Sequence, residues 1–296
     1  MSTAIGSWPD TAQHPRPIST YQGWAQISLI LALTVALYAV TLADMANDWW
    51  TDPNLSQGLL IPPLAIWIAW MRRDLTLAEP VMPANRGLLM VAGACLLFLL
   101  GKFGAEFFLS RISFVLLIAG LVWTFWGTAR LMTLVFPILL LATMVPLPAT
   151  VYNSLAAPLQ LLASDVATRL AEVFGVSVFR DGNVINLAHI SLDVERACSG
   201  LNSLSALMVG AILLGFLQCT RASTRTLLFL LSIPISIAVN VLRVTGTALI
   251  ADYHEELALG FYHSFTGWLV FIVGFAILYG TARFLHFVMD RKEVKP

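Results

Sequence analysis

The chain has 296 residues, of which 58% are hydrophobic and only 11% charged, a balance that excludes an ordinary soluble domain and marks an integral membrane protein. Seventeen basic and seventeen acidic residues cancel, leaving no excess positive charge with which to hold nucleic acid. Three cysteines, Cys95, Cys198 and Cys219, make neither a disulfide framework nor a paired-cysteine metal site, and no cofactor or metal is expected.

Residues 1–22, MSTAIGSWPDTAQHPRPISTYQ, are polar and contain proline. They lack the apolar stretch of a cleavable signal and read as a cytoplasmic tail, so insertion rests on the first spanning helix. A bilayer core needs about 20 apolar helical residues. Eight segments qualify or nearly so: 24–43, 58–71, 87–101, 112–127, 131–147, 198–218, 226–250 and 261–285. The second is short and contains Pro62–Pro63, and the fifth contains Pro137. The predicted architecture is an all-α polytopic membrane protein of about eight transmembrane helices, with a single membrane domain over 23–288 and a cytoplasmic tail over 289–296.

With the N-terminus inside, the cytoplasmic segments hold Arg16, Arg72, Arg73, Arg86, Arg130, Arg221, Arg225, Arg283, Arg291, Lys292 and Lys295, eleven of the seventeen basic residues. The outer loops hold most of the acids. Basic residues are retained on the cytoplasmic side, so both termini are expected there. The long outer loop, 148–197, carries Leu155, Leu159, Leu162, Val166, Leu170 and Val173 at helical spacing, the pattern of an outer amphipathic helix at the interface. Alternation around Asp181–Gly182 predicts a hairpin. A third alternating piece, Ile190, Leu192 and Val194, completes a small β element at 176–194 that leads into Glu195-Arg196-Ala197-Cys198-Ser199-Gly200.

The parity of the last three helices brings three residues to the outer membrane level. Cys198 begins the sixth, Arg243 lies in the outer part of the seventh, and His263 is in the first turn of the eighth. A helix start stabilises a thiolate, and the amides of Ser199 and Gly200 can cradle an oxyanion. An arginine inside a spanning helix costs about 2.5–3.5 kcal/mol on insertion scales. Ser232, Ser236, Asn240, Arg243 and Thr247 follow at steps of four, four, three and four, one polar stripe facing the bundle interior. Ser199, Asn202, Ser203 and Ser205 make the outer part of the sixth helix polar as well, and the two faces imply a hydrated outer cavity. A thiol, a histidine able to move protons near neutral pH and a permanent cation together suit acyl transfer. Glu195 either orients a catalytic group or ends a strand. His189 reads as a loop or strand residue, Tyr253-His254-Glu255-Glu256 lacks zinc-protease spacing, and Cys95 and Cys219 read as packing residues.

ERACSGLNSL at 195–204, NVLRVTG at 240–246 and FYHSFTGW at 261–268 resemble, in order, the signature blocks of the exosortase/archaeosortase family, and DPNLSQGLLIPPLAIWIAWMRR at 52–73 resembles its N-terminal block. That first block commonly has a histidine before its glycine, where this chain has Gln57. The resemblance implies a sortase-like cysteine protease-transpeptidase in the inner membrane, with its active site on the periplasmic side. Its partners would be exported proteins with a C-terminal tail of a proline-containing motif, a spanning helix and a basic cluster, together with membrane lipid and a surface acceptor, often in exopolysaccharide-making bacteria. It makes Cys198 the nucleophile, His263 the acid–base partner and Arg243 the stabilising cation; the placement of Glu195, Ser199, Gly200, Asn202 and Asn240 beside them makes these five the candidates for a supporting role. The alternative is a transporter or exopolysaccharide-export component in which Arg243 binds an anion.

Overall fold

A computed structural model of the chain describes residues 20–52, 55–194, 200–254 and 261–290, with side chains over 28–52, 55–194, 200–254 and 266–290. Its helices are α1 Thr20–Thr51, α2 Ile61–Met71, α3 Arg73–Ala78, α4 Arg86–Phe103, α5 Phe107–Ala142, α6 Ala149–Val173, α7 Leu201–Gln218, α8 Ala222–Tyr253 and α9 Phe261–Leu285. A π-helical turn, His286–Asp290, extends α9. Among the described residues six helices are long and apolar enough to cross a membrane, drawn from α1, α4, α5, α7, α8 and α9. The protein is therefore an all-α polytopic membrane protein with a small sheet. Two compact units divide it, Met1–Asp44 and Met45–Pro296. The first contains most of α1, with Leu29, Leu31, Leu33, Val35 and Val40 exposed. Everything below concerns the second.

The six helices and the eight predicted spans are reconciled by α5 and α2. Arg111, near the start of α5, pairs with Asp48, while the carbonyl of Met144, just past its end, accepts a hydrogen bond from Trp49 Nε1 at 3.1 Å. Those two points are 33 residues apart (144 − 111) and would be about 50 Å apart on a straight helix. Both instead meet neighbouring residues of α1, so α5 doubles back. The corner is Gly127, with φ 84° and ψ −179°. A side chain is excluded there twice over, by that φ and by the Met82 carbonyl oxygen 2.0 Å from where a Cβ would stand. The two arms match the predicted spans 112–127 and 131–147, although the second ends at Ala142 rather than 147. Pro146 explains the early stop, because it has no amide hydrogen for the Ala142 carbonyl four residues back and its ring would clash with it; the Val145 amide takes that carbonyl instead at 3.3 Å.

In α2, Pro62 and Pro63 stand at the second and third positions, where an amide hydrogen has no intrahelical partner to lose. Pro137 lies inside the second arm of α5 and removes the bond to the carbonyl four residues earlier, that of Thr133. Arg72 Nη1 supplies the missing donor at 2.9 Å.

Over its described residues, the loop that the sequence places outside, 148–197, folds much as its pattern predicts. The amphipathic helix is α6, and its alanine face, Ala156, Ala163, Ala167 and Ala171, is buried. A three-stranded antiparallel sheet follows: β1 Phe179–Asp181, β2 Val184–Asn186 and β3 Ser191–Asp193, in that spatial order. Asp181 pairs with Val184, so the hairpin turn is Gly182–Asn183, one residue later than the predicted Asp181–Gly182. Gly182 has φ 62°, which fits the first central position of a type II′ turn. Ile185, fully buried, and Val194 join Ala163, Ala167, Val241 and Val244 in one apolar cluster. That cluster locks the sheet and α6 onto α8 beside Asn240 and Arg243.

Candidate active site

On α8 the predicted polar stripe does face inward: Ser232, Ser236 and Asn240 are 0, 1 and 2% exposed. Asn240 presses against Gly200, where an added Cβ would lie 2.7 Å from the Asn240 amide carbon. Gly200 has φ 82° and precedes the first residue of α7. Its carbonyl accepts the Leu204 amide at 2.8 Å, which closes the first turn. The helix thus starts at Leu201 rather than at the predicted Cys198, because the left-handed backbone of Gly200 interrupts helical geometry.

Cys198, Glu195 and Ser199 lie outside the described residues. The described residues on either side of them each have named contacts. Val194 is buried, and its amide donates to the Asn183 carbonyl at 3.0 Å. Asn183 Nδ2 in turn donates to Asp193 Oδ1 at 2.7 Å. On the far side stands Gly200, held by Asn240.

Arg243 follows Asn240 by three residues and so shares its face of α8. Its guanidinium rests on the α9 backbone, for a Cβ at Gly267 would meet Arg243 Nη2 at 3.2 Å and Cζ at 3.3 Å. His263 belongs to the first turn of α9, four residues before Gly267 and hence on the same helical face; its side chain is outside those described. One face of α8 therefore reaches two glycines, one at the start of α7 and one near the start of α9. Between α6, α7 and α8, Leu159, Ala163, Gly200, Leu204, Ile237 and Asn240 enclose a crevice of about 10 Å³, room for roughly one water.

The first turn of α7 has a second polar face. Tyr152 Oη donates to Asn202 Oδ1 at 3.0 Å, Ser205 Oγ donates to the Asn202 carbonyl at 2.9 Å, and Gln57 Nε2 donates to Ser205 Oγ at 3.0 Å. Sequence reading noted Gln57 only as a departure and missed Tyr152 as a partner. No sequence signal marks these pairs, since 148 and 50 residues separate their members.

The other candidates stay apart. Cys219 is buried and Cys95 partly so. Burial first, and then the Asp290 carboxylate, push the Cys219 thiol up from its ordinary value, with Arg225 opposing, so little of it is thiolate near neutral pH. His189 and His254 are exposed. Among the described residues no three His, Cys, Asp or Glu side chains gather as a metal site would require.

Residues 49–280 match the family described as transmembrane exosortase. No curated protein and no solved structure matches the chain. The match covers well over half of the sequence, and the chain belongs to the transmembrane exosortase family, membrane-embedded proteins of the sorting protease-transpeptidase class.

Proposed function

From membership of that family we propose that the protein cuts a C-terminal sorting tail from exported proteins by thioester chemistry at Cys198. The tail helix docks against the bundle, and the segment before it reaches the outer face. The Cys198 thiolate adds to the scissile carbonyl carbon, and Arg243 balances the charge that develops on the carbonyl oxygen. The carbon–nitrogen bond then breaks, and His263 delivers a proton to the departing amine. The tail stays in the membrane. An amine of a surface acceptor, or water, resolves the thioester, returning the sulfur as thiolate and releasing the protein.

The observation that carries this reading is the double approach of α8: Asn240 against Gly200 and Arg243 against Gly267. Those glycines are two residues after Cys198 and four after His263. A cation fixed between the elements that bear a thiol and an imidazole suits acyl transfer better than any other chemistry of these residues. Glu195, Ser199 and Asn202 flank the same position in sequence and would orient the reacting groups. The protein lies in the cytoplasmic membrane with both termini inside and the reactive end on the periplasmic side. In support, Arg72, Arg130 and Arg225 gather at the opposite end, on Thr133, Glu79 and Phe216, where the positive-inside rule puts them.

Co-expression with a tail-bearing exported protein tests the proposal. Cys198→Ala is expected to leave that protein uncut. Unchanged processing would defeat the idea. A membrane-impermeant thiol reagent supplies a second test, since it should modify Cys198 from outside and spare Cys219.

A further inference from the structure

We propose that a cavity beside the start of α7 is the subsite that holds an uncharged, extended stretch of the substrate next to the bond that is cut, with Gln57 reading its backbone. This rests on the peptidase reading above. The cavity has a volume of about 110 Å³ and lies between Gln57 and its neighbours, the loop 143–147, the first turn of α6 and the first turn of α7. It is far larger than the roughly 10–15 Å³ needed by one water and smaller than the pockets of about 300 Å³ and above that take small molecules. A helix, about 10 Å across, does not fit. One small side chain with its flanking peptide does.

None of the side chains lining the cavity carries a charge. An acidic or basic group entering it would lose its hydration without gaining a countercharge, so the occupant is uncharged. The polar members are placed for peptide groups. Gln57 Nε2 is committed to Ser205 Oγ, whose own proton goes to the Asn202 carbonyl. This order leaves Gln57 Oε1 as an acceptor, and it has no hydrogen-bond partner among the described residues. A substrate amide N–H is its complement. Across the cavity Leu147 stands between Pro146 and Pro148, and Pro148 has φ −54° and ψ 139°. A residue before proline is driven to extended backbone. The Leu147 amide takes no partner among the described residues, so it offers a donor to a strand laid alongside. Leu147 and Leu201 give the apolar wall. Histidine in its neutral form also offers a donor and an acceptor, so it can stand in for the glutamine amide. Glutamine cannot carry the proton, so in this chain the position acts by hydrogen bonding.

Photocrosslinking of the full chain in membranes tests the subsite. Benzoylphenylalanine is placed at Leu147, or as a control at Leu227 in the opposite end of the bundle, in the Cys198→Ala background with a tail-bearing exported protein as the probe. The expected product joins position 147 to residues beside the cleavage site and gives nothing from position 227. A silent position 147, or one that captures only the spanning helix of the tail, overturns the subsite. With Cys198 intact, Gln57→Leu should raise KM for that protein about tenfold and leave kcat nearly unchanged, while Gln57→His restores KM to within about threefold. An equal fall in kcat with unaltered KM also overturns the proposal. The two readings fail separately: processing that survives Cys198→Ala sinks the peptidase, whereas the crosslink at 147 reports occupancy of the cavity in either case.

Discussion

The two ends of the bundle use the same kinds of side chain for different ends. At the pole near Phe216, polar groups repair the backbone. Arg72 fills the carbonyl that Pro137 leaves open and lies 4.6 Å over the Phe216 ring, which stacks on Phe136 at 3.7 Å. Asp290, 3% exposed, accepts from the Thr220 amide and from Thr224 Oγ1, both at 2.8 Å, and so ties the π-helical turn after α9 to the start of α8. At the pole near Gly200, by contrast, Asn240 presses on the glycine before α7 and Arg243 on a glycine of α9, and a cavity remains between the first turn of α7, Gln57 and the 143–147 loop. One pole is closed around its charges, whereas the other leaves an uncharged cavity beside the first turn of α7. The contrast separates residues that maintain the fold from those to which the proposed function assigns a reaction.

The predictions press on that contrast, and the largest effect belongs to the open pole. Arg243→Gln should lower processing about 100- to 1,000-fold with little change in thermal unfolding of the detergent-purified protein. Arg243→Lys should also fall far short, because it lacks the planar fork; equal loss of folded protein and of processing would erase the distinction. Asp290→Ala should do the reverse, costing about 2–3 kcal/mol of stability through two lost hydrogen bonds to a buried carboxylate, while processing per folded molecule is kept. Gly200→Ala combines both effects. A left-handed backbone forced on alanine costs about 1–3 kcal/mol, and the displaced Asn240 should lower processing further than the drop in folded protein explains. The smallest effect is that of Arg72→Met, about 1 kcal/mol for the reopened Thr133 carbonyl, with processing unaltered.

Much of this was legible in the sequence. The apolar runs marked the membrane helices, and Leu155 to Val173 marked α6, because helical periodicity needs only local residues. The stripe from Ser232 to Asn240 correctly placed a polar face inside the bundle, since exposing it to lipid is costly. Boundaries were less legible. The hairpin turn moved by one residue and the start of α7 by three, as both are decided by the backbone of one glycine, Gly182 or Gly200. Gln57, Tyr152 and Ser205 could not be read as a group, because their partners are brought together only by packing.

The sequence by itself determined the class of the protein, its family and the positions at which reactive side chains occur, since composition and motif spacing are properties of the chain. Tertiary structure alone decided that α5 turns back at Gly127, that Asn240 and Arg243 each meet a glycine of another helix, and that Gln57 borders a cavity. These depend on close approach between residues up to 148 positions apart, and close approach is set by the excluded volume of side chains and backbone rather than by local preference.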